Sequence, residues 1–103
     1  MAVTEEQVRE ALKQVKDPEL GFDIVNLGLV YDITIDGGKV SVDMTLTSPA
    51  CMAGPFITEQ AKEAAESVEG VEEAEVRLVW EPRWTEDKMS DELKLMRKYG
   101  MFP

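Results

Sequence analysis

The chain contains no histidine and one cysteine, Cys51, among its 103 residues. The missing histidine removes the side chain that moves protons near neutral pH, which is also the commonest protein metal ligand. Ser-His-Asp triads, Cys-His pairs, His-ligated zinc and HExxH centres are therefore excluded. A single cysteine permits no intrachain disulfide and no C-x-x-C pair, so neither a disulfide-stapled secreted scaffold nor thioredoxin-type exchange is available. Basic residues are scarce: 11 Lys and Arg stand against 21 Asp and Glu, a formal charge of −10. Nucleic-acid phosphates and anionic membrane surfaces both select clustered cations, so neither is an expected partner. Apolar runs extend only a few residues, too short to span a bilayer. The first residues, Met1-Ala2-Val3-Thr4-Glu5-Glu6, carry no basic region followed by an apolar one, so a cytoplasmic protein is expected.

What is present is enough for one modest core. Hydrophobic residues make up 44% of the chain, and a chain of this length buries about 60–65% of the surface that its unfolded form exposes. Residues 1–103 are expected to form one domain, with 81–103 as a tail packed on it. Thr4 and Gln7 have the spacing of a capping box, with Val3 and Val8 placed as a hydrophobic staple. Val8, Ala11, Leu12 and Val15 continue as a single helical stripe, which Pro18 should end near Lys16. Leu29, Tyr31, Ile33 and Ile35 then alternate with Val30, Asp32, Thr34 and Asp36, and Val40, Val42, Met44 and Leu46 alternate with Ser41, Asp43, Thr45 and Thr47. Gly37-Gly38 between them signals a tight hairpin turn. That turn pairs Ile35 with Val40, Ile33 with Val42, Tyr31 with Met44 and Leu29 with Leu46, and puts all eight on one face. Asp32 then lies opposite Asp43, either as a cation site or as a solvated pair of splayed charges.

Ile57, Ala61, Ala64, Ala65 and Val68 mark a second helix, and Gly70 stands where a C-terminal glycine cap is expected. Ala74, Val76, Leu78 and Trp80 alternate as a third strand, which the crossover should set parallel to its neighbour. The expected fold class is α/β (α+β): a small mixed three-stranded sheet in the order α-β-β-α-β, with helices on one face and a short C-terminal helix from Ser90 carrying Leu93, Met96 and Tyr99. Trp84, Met89, Met96, Met101 and Phe102 make the tail rich in large apolar groups. It either folds back onto the domain or leaves some of them for a partner or a lid.

Chemistry points to the loop Leu46-Thr47-Ser48-Pro49-Ala50-Cys51-Met52-Ala53-Gly54-Pro55. It leaves a strand and enters a helix, and ligands favour the region beyond such strand ends. A cysteine at or just before a helix start gains thiolate character from unpaired amides and the dipole. Cys51 is thus either a reactive ligand or nucleophile, with the hydroxyls of Thr47 and Ser48 beside it, or a buried inert residue. Asp17-Pro18-Glu19 offers two carboxylates that orient or ligate something near Cys51, or else cap local amides and face water.

Taken in order, Asp17-Pro18-Glu19-Leu20-Gly21, Ile24 to Tyr31, and Met44 to Cys51 resemble the iron–sulfur cluster assembly family that includes SufT and PaaD. Val71 to Val76, Trp84-Thr85 and Met89-Ser90 fit its SufT-like branch. The resemblance covers nearly the whole chain. It implies a small α/β fold and a non-enzymatic role in maturing clusters or delivering them to client proteins. It also implies that Cys51 is the central cofactor-binding and metal-ligating residue, with Asp17, Glu19, Thr47 and Ser48 near it. PaaD-like members carry further cysteines near the C-terminus and this sequence has none, so a self-contained metal site of that kind is not expected. An iron–sulfur cluster usually takes four thiolates and one chain supplies one. The expectation is a transiently bound cluster, never stably held by one chain, with assembly proteins, client apoproteins or a second copy completing the ligand set. A cysteine-dependent enzyme would need a placed base to activate the thiol, and none is evident. An acidic interaction module with an incidental cysteine is the plain alternative.

Overall fold

The computed structural model describes residues 2–18, 21–47 and 54–100. Helix α1 (Glu5–Leu12) opens with the expected box: the Gln7 amide donates to the Thr4 hydroxyl at 3.1 Å, and the Thr4 amide donates to the Gln7 side chain at 3.0 Å. Such a cap is worth about 1 kcal/mol. The helix ends at Leu12, earlier than Pro18 alone would dictate. Val15 nevertheless stays buried, because the chain bends into a paired loop. The Ile24 amide donates to the Val15 carbonyl and the Asp17 amide to the Phe22 carbonyl, both at 2.9 Å.

Strands β1 (Val30–Asp36) and β2 (Lys39–Met44) form the hairpin, closing at Asp36↔Lys39 with Gly37 at φ +62. Ile35↔Val40 and Ile33↔Val42 pair as expected. The register then shifts: Val30 lies opposite Met44 and Asp32 opposite Asp43, which leaves Tyr31 as an extra residue in a bulge. Tyr31 therefore does not pair with Met44. A bulge redirects the side chain it carries, and here the Tyr31 hydroxyl donates to the Pro82 carbonyl at 2.8 Å. Asp32 and Asp43 do lie opposite each other, but Asp43 accepts from Arg77 of the next strand at 3.0 Å, and Asp32 accepts from the Ile33 amide. Arg77 offsets the like charges, so no cation is needed between them.

Helix α2 (Gly54–Glu66) buries Ile57, Ala61 and Ala65, and Gly70 follows at φ +95. Strand β3 (Glu73–Leu78) lies parallel to β2, giving the mixed order β1-β2-β3. Helix α1 packs on β1 and α2, and α2 packs on β3. The core between them contains Val8, Leu12, Val40, Val42, Met44 and Ile57, all fully buried. At about 0.8 kcal/mol per buried methylene, this face is the main source of stability.

After β3 the chain folds back. It makes a single 3₁₀ turn (Glu86–Lys88) and helix α3 (Asp91–Lys98), capped by the Ser90 hydroxyl. Met89 and Leu93 enter the core, whereas Tyr99 is 68% exposed and does not. Met101 and Phe102 lie outside the described residues. Among the described residues, no helix is long and apolar enough to cross a membrane.

Candidate functional site

Strand direction decides where chemistry gathers. Because β1 runs against β2 and β3, one end of the sheet collects the start of β1 and the carboxyl ends of β2 and β3. The loop through Ile24 to Leu29 arrives there, and the Thr45 amide donates to the Leu29 carbonyl at 2.8 Å. The Val79 amide extends the parallel ladder by donating to the Met44 carbonyl. Helix α2 begins at this end as well, with no acidic residue in its first turn to offset the positive end of its dipole.

A cavity of about 270 Å³ opens at this end. Thr45, Leu46 and Thr47 form one wall, and Trp80, Glu81, Arg83 and Trp84 form the other. Three contacts set the second wall. The Trp84 indole donates to the Leu27 carbonyl at 2.7 Å, Tyr31 holds the Pro82 carbonyl, and the Ser90 amide donates to the Asn26 carbonyl at 2.7 Å. Gly28 makes the close approach possible: it adopts φ +78, and a Cβ there would run into the Lys88 carbonyl. The Lys88 ammonium lies 5.1 Å from the centre of the Tyr31 ring, a favourable cation–π contact. A larger hollow, of about 530 Å³, lies along α1, but it is lined by the flank of that helix and its cap and holds no strand end.

The residues singled out from the sequence separate clearly. Thr47 lines the cavity. Asp17 does not, and its side chain does not face water: the residue is fully buried where the first loop leaves α1. Backbone bonds hold it there, with the Gly21 amide donating to the Asp17 carbonyl at 2.7 Å. Glu19, Ser48 and Cys51 lie outside the described residues. Their chain neighbours are placed, however. Thr47 is on the cavity wall, and Gly54 packs so closely against Leu46 that a Cβ would come within 2.8 Å of the Leu46 side chain. Among the described residues, no three acidic side chains converge to hold a metal ion. Sequence reasoning did not single out Trp80, Glu81 or Arg83. The cluster of tryptophan, proline and arginine after β3 was the available signal.

Comparison with known proteins agrees with this architecture. Residues 5–77 match the family model described as iron–sulfur cluster assembly protein. The chain is 50% identical over 91 residues to the Fe-S protein maturation auxiliary factor YitW of Bacillus subtilis, covering 87% of this chain and 89% of that protein. It is likewise 50% identical over 82 residues to the Fe-S protein maturation auxiliary factor SufT of Staphylococcus aureus, covering 79% and 93%. A crystal structure of a domain of unknown function, DUF59, from Bacillus anthracis superimposes with a TM-score of 0.87 at 41% identity over 91% of each chain. The match to the family model spans α1 through most of β3, and the chain belongs to the iron–sulfur cluster assembly protein family.

Proposed function

We propose that this protein serves in the maturation of iron–sulfur proteins as a transient carrier, with Cys51 supplying one labile ligand to a cluster that is its cargo. The observation that carries this reading is the family match over residues 5–77, joined to a sheet end where β2 gives way to α2. The described residues nearest Cys51 in sequence stand at that end: Thr47 lines the cavity, and Gly54, the first residue of α2, packs against Leu46. Family membership and the names of its relatives support the choice of cargo.

Ligand number makes the binding transient. Four thiolates are usual for a cluster and this chain offers one. An assembly protein, a client apoprotein or a second copy must therefore complete the set, and withdrawal of any of them releases the cargo. Anaerobic reconstitution with iron and sulfide, in the presence of a thiol-bearing acceptor, should produce visible cluster absorption that Cys51→Ser abolishes. Equal absorption from Cys51→Ser would refute the carrier reading. Retention of assembly proteins by Cys51→Ser, without any cluster signal from the wild type, would instead make the protein an adaptor.

A further inference from the structure

We infer that the outer edge of β3 pairs antiparallel with the same edge of a second copy of the chain, joining the two sheets into one. The direction of the backbone amides shows that this edge is open. The Glu73 amide donates to the Gly38 carbonyl and the Val79 amide to the Met44 carbonyl, so Glu73, Glu75, Arg77 and Val79 turn their amides towards β2. Ala74, Val76 and Leu78 turn theirs outward. The Ala74 amide accordingly meets a Glu66 carboxylate oxygen of α2, at 3.4 Å. Among the described residues, no strand pairs with this edge. The opposite edge is more crowded: α1 packs on β1, and the tail crosses to the start of β1, where it meets Tyr31 and Leu27. An unpaired edge is a template for another strand.

Charge selects both the occupant and the register. Along β3, Glu73, Glu75 and Arg77 lie on one face, and Ala74, Val76 and Leu78 on the other. A two-fold axis perpendicular to the sheet keeps each face on its own side, so it must pass through a single residue. Centred on Val76, it sets Glu75 opposite the partner's Arg77, and Arg77 opposite the partner's Glu75. Centred on Glu75 or on Arg77, it opposes two like charges at the axis. Centred on Ala74 it sets Glu73 against Glu75, and centred on Leu78 it sets Glu75 against Glu81. The Val76 register alone pairs opposite charges and opposes no like ones. It also suits the backbone, because Val76 is outward-turned and the two copies exchange amide-to-carbonyl bonds there. Leu78, 40% exposed, then lies across from the small Ala74, and its carbonyl replaces Glu66 at the Ala74 amide. Arg77 bonds Asp43 through Nε, which leaves its terminal nitrogens for the partner's Glu75. The formal charge of −10 repels a second copy at long range, so the dimer is weak and concentration-dependent.

Sedimentation equilibrium of the full chain, without iron or sulfide, should show monomer and dimer in exchange, with the dimer growing from micromolar to millimolar concentration. Hydrogen exchange followed by NMR should show the Val76 and Leu78 amides gaining protection as concentration rises, while those of Glu75 and Arg77, bonded to β2, are protected throughout. Glu75→Arg alters an exposed side chain and turns both cross-strand pairs repulsive, so the apparent Kd should rise about tenfold or more. Arg77→Glu should do the same alone. Mixed in equal amounts, the two variants restore opposite charges at both positions and should associate with each other as tightly as the wild type does with itself. Arg77→Glu also loses the bond to Asp43, so Val76→Pro provides an independent test. It removes the outward amide, which an edge strand tolerates, and should abolish the dimer while leaving the β2–β3 ladder protected. A monomer at every concentration overturns the pairing and leaves the edge to a strand of another protein. A dimer that neither Glu75→Arg nor Val76→Pro weakens overturns it as well, because another surface then holds the copies together. No cluster enters these measurements, so their outcome is separate from that of the carrier reading.

Discussion

The two ends of the sheet are built on different principles. At the hairpin end, two glycines turn the chain in the shortest possible connection, and the Glu72 and Glu73 amides both donate to the Gly38 carbonyl, at 2.7 and 3.2 Å. At the opposite end, three separated stretches of chain meet: the loop before β1, the exit from β2 and the tail after β3. Their contacts span long sequence separations, such as Trp84 to Leu27 and Tyr31 to Pro82. The hairpin end joins a local turn to one distant contact, from the start of β3 to Gly38. The other end depends on the core beneath it, because Ile24, Leu27 and Leu29 are fully buried although none lies in a helix or strand. A cavity between such segments is therefore a product of the fold as a whole.

The largest test of that contrast is Leu27→Ala. If the loop is part of the cooperative core, the substitution will cost about 2–5 kcal/mol, as much as Leu12→Ala in α1. Urea unfolding followed by circular dichroism measures both. A cost under about 1 kcal/mol for Leu27→Ala alone would mean that the loop merely lies on the sheet and collapses around the gap.

The same contrast explains what could be read from the sequence. The capping box at Thr4, the turn at Gly37-Gly38, the stripe through Ile57 and Ala61, and the Ser90 cap are all local patterns, and each forms where expected. The apparent alternation of Leu29, Tyr31, Ile33 and Ile35 masks the bulge at Tyr31, and its one local trace is Val30, an apolar residue among the polar positions, which the fold buries opposite Met44. The cause of the bulge is the tail, fifty residues away, whose Pro82 carbonyl takes the Tyr31 hydroxyl. The early end of α1 has a similar origin: Val15 and Asp17 pair with Ile24 and Phe22, and Pro18 sets only an outer limit. At the candidate site, the sequence pointed to Thr47 and to the carboxylate of Asp17. It left open whether Asp17 faces water, and the fold buries it. For Glu81 and Arg83 that tryptophan, proline and arginine cluster was a weak signal, because their importance depends on which strand end the tail crosses.

A pair of glycine substitutions sharpens the comparison at intermediate magnitude. Gly37 and Gly28 both adopt positive φ, +62 and +78. An alanine at Gly37 meets no atom within 4 Å, so the cost is left-handed strain alone, about 1–2 kcal/mol. At Gly28 the same strain is joined by collision with the Lys88 carbonyl, and the loss should be roughly twice as large. Tryptophan fluorescence should also shift in Gly28→Ala, because displacing Lys88 disturbs the tail that carries Trp80 and Trp84. Gly37→Ala should leave the emission unchanged. Equal losses from the two substitutions, with no emission change in either, would show that the tail is not held against the loop.

The smallest effect concerns Tyr31, where the sheet meets the tail. Burial raises the Tyr31 phenol above its ordinary pKa of 10.0. Near pH 10 the unfolded chain therefore gives up this proton while the folded protein keeps it. The unfolded state then binds fewer protons, so stability falls as pH rises, starting at about pH 10 and levelling once the folded group also ionises. Ionisation also removes the proton that Tyr31 donates to Pro82. Tyr31→Phe should lose about 0.5–1.5 kcal/mol at neutral pH for the missing hydrogen bond. It should also lose this component of the alkaline slope, so that the variant and the wild type converge in urea midpoint above about pH 10. Lysines titrating in the same range affect both proteins alike and cancel in the difference. A constant offset between the two across the whole range would mean that the phenol ionises equally well folded and unfolded. The bulge would then steer Tyr31 to the edge of the tail without burying its hydroxyl beneath it.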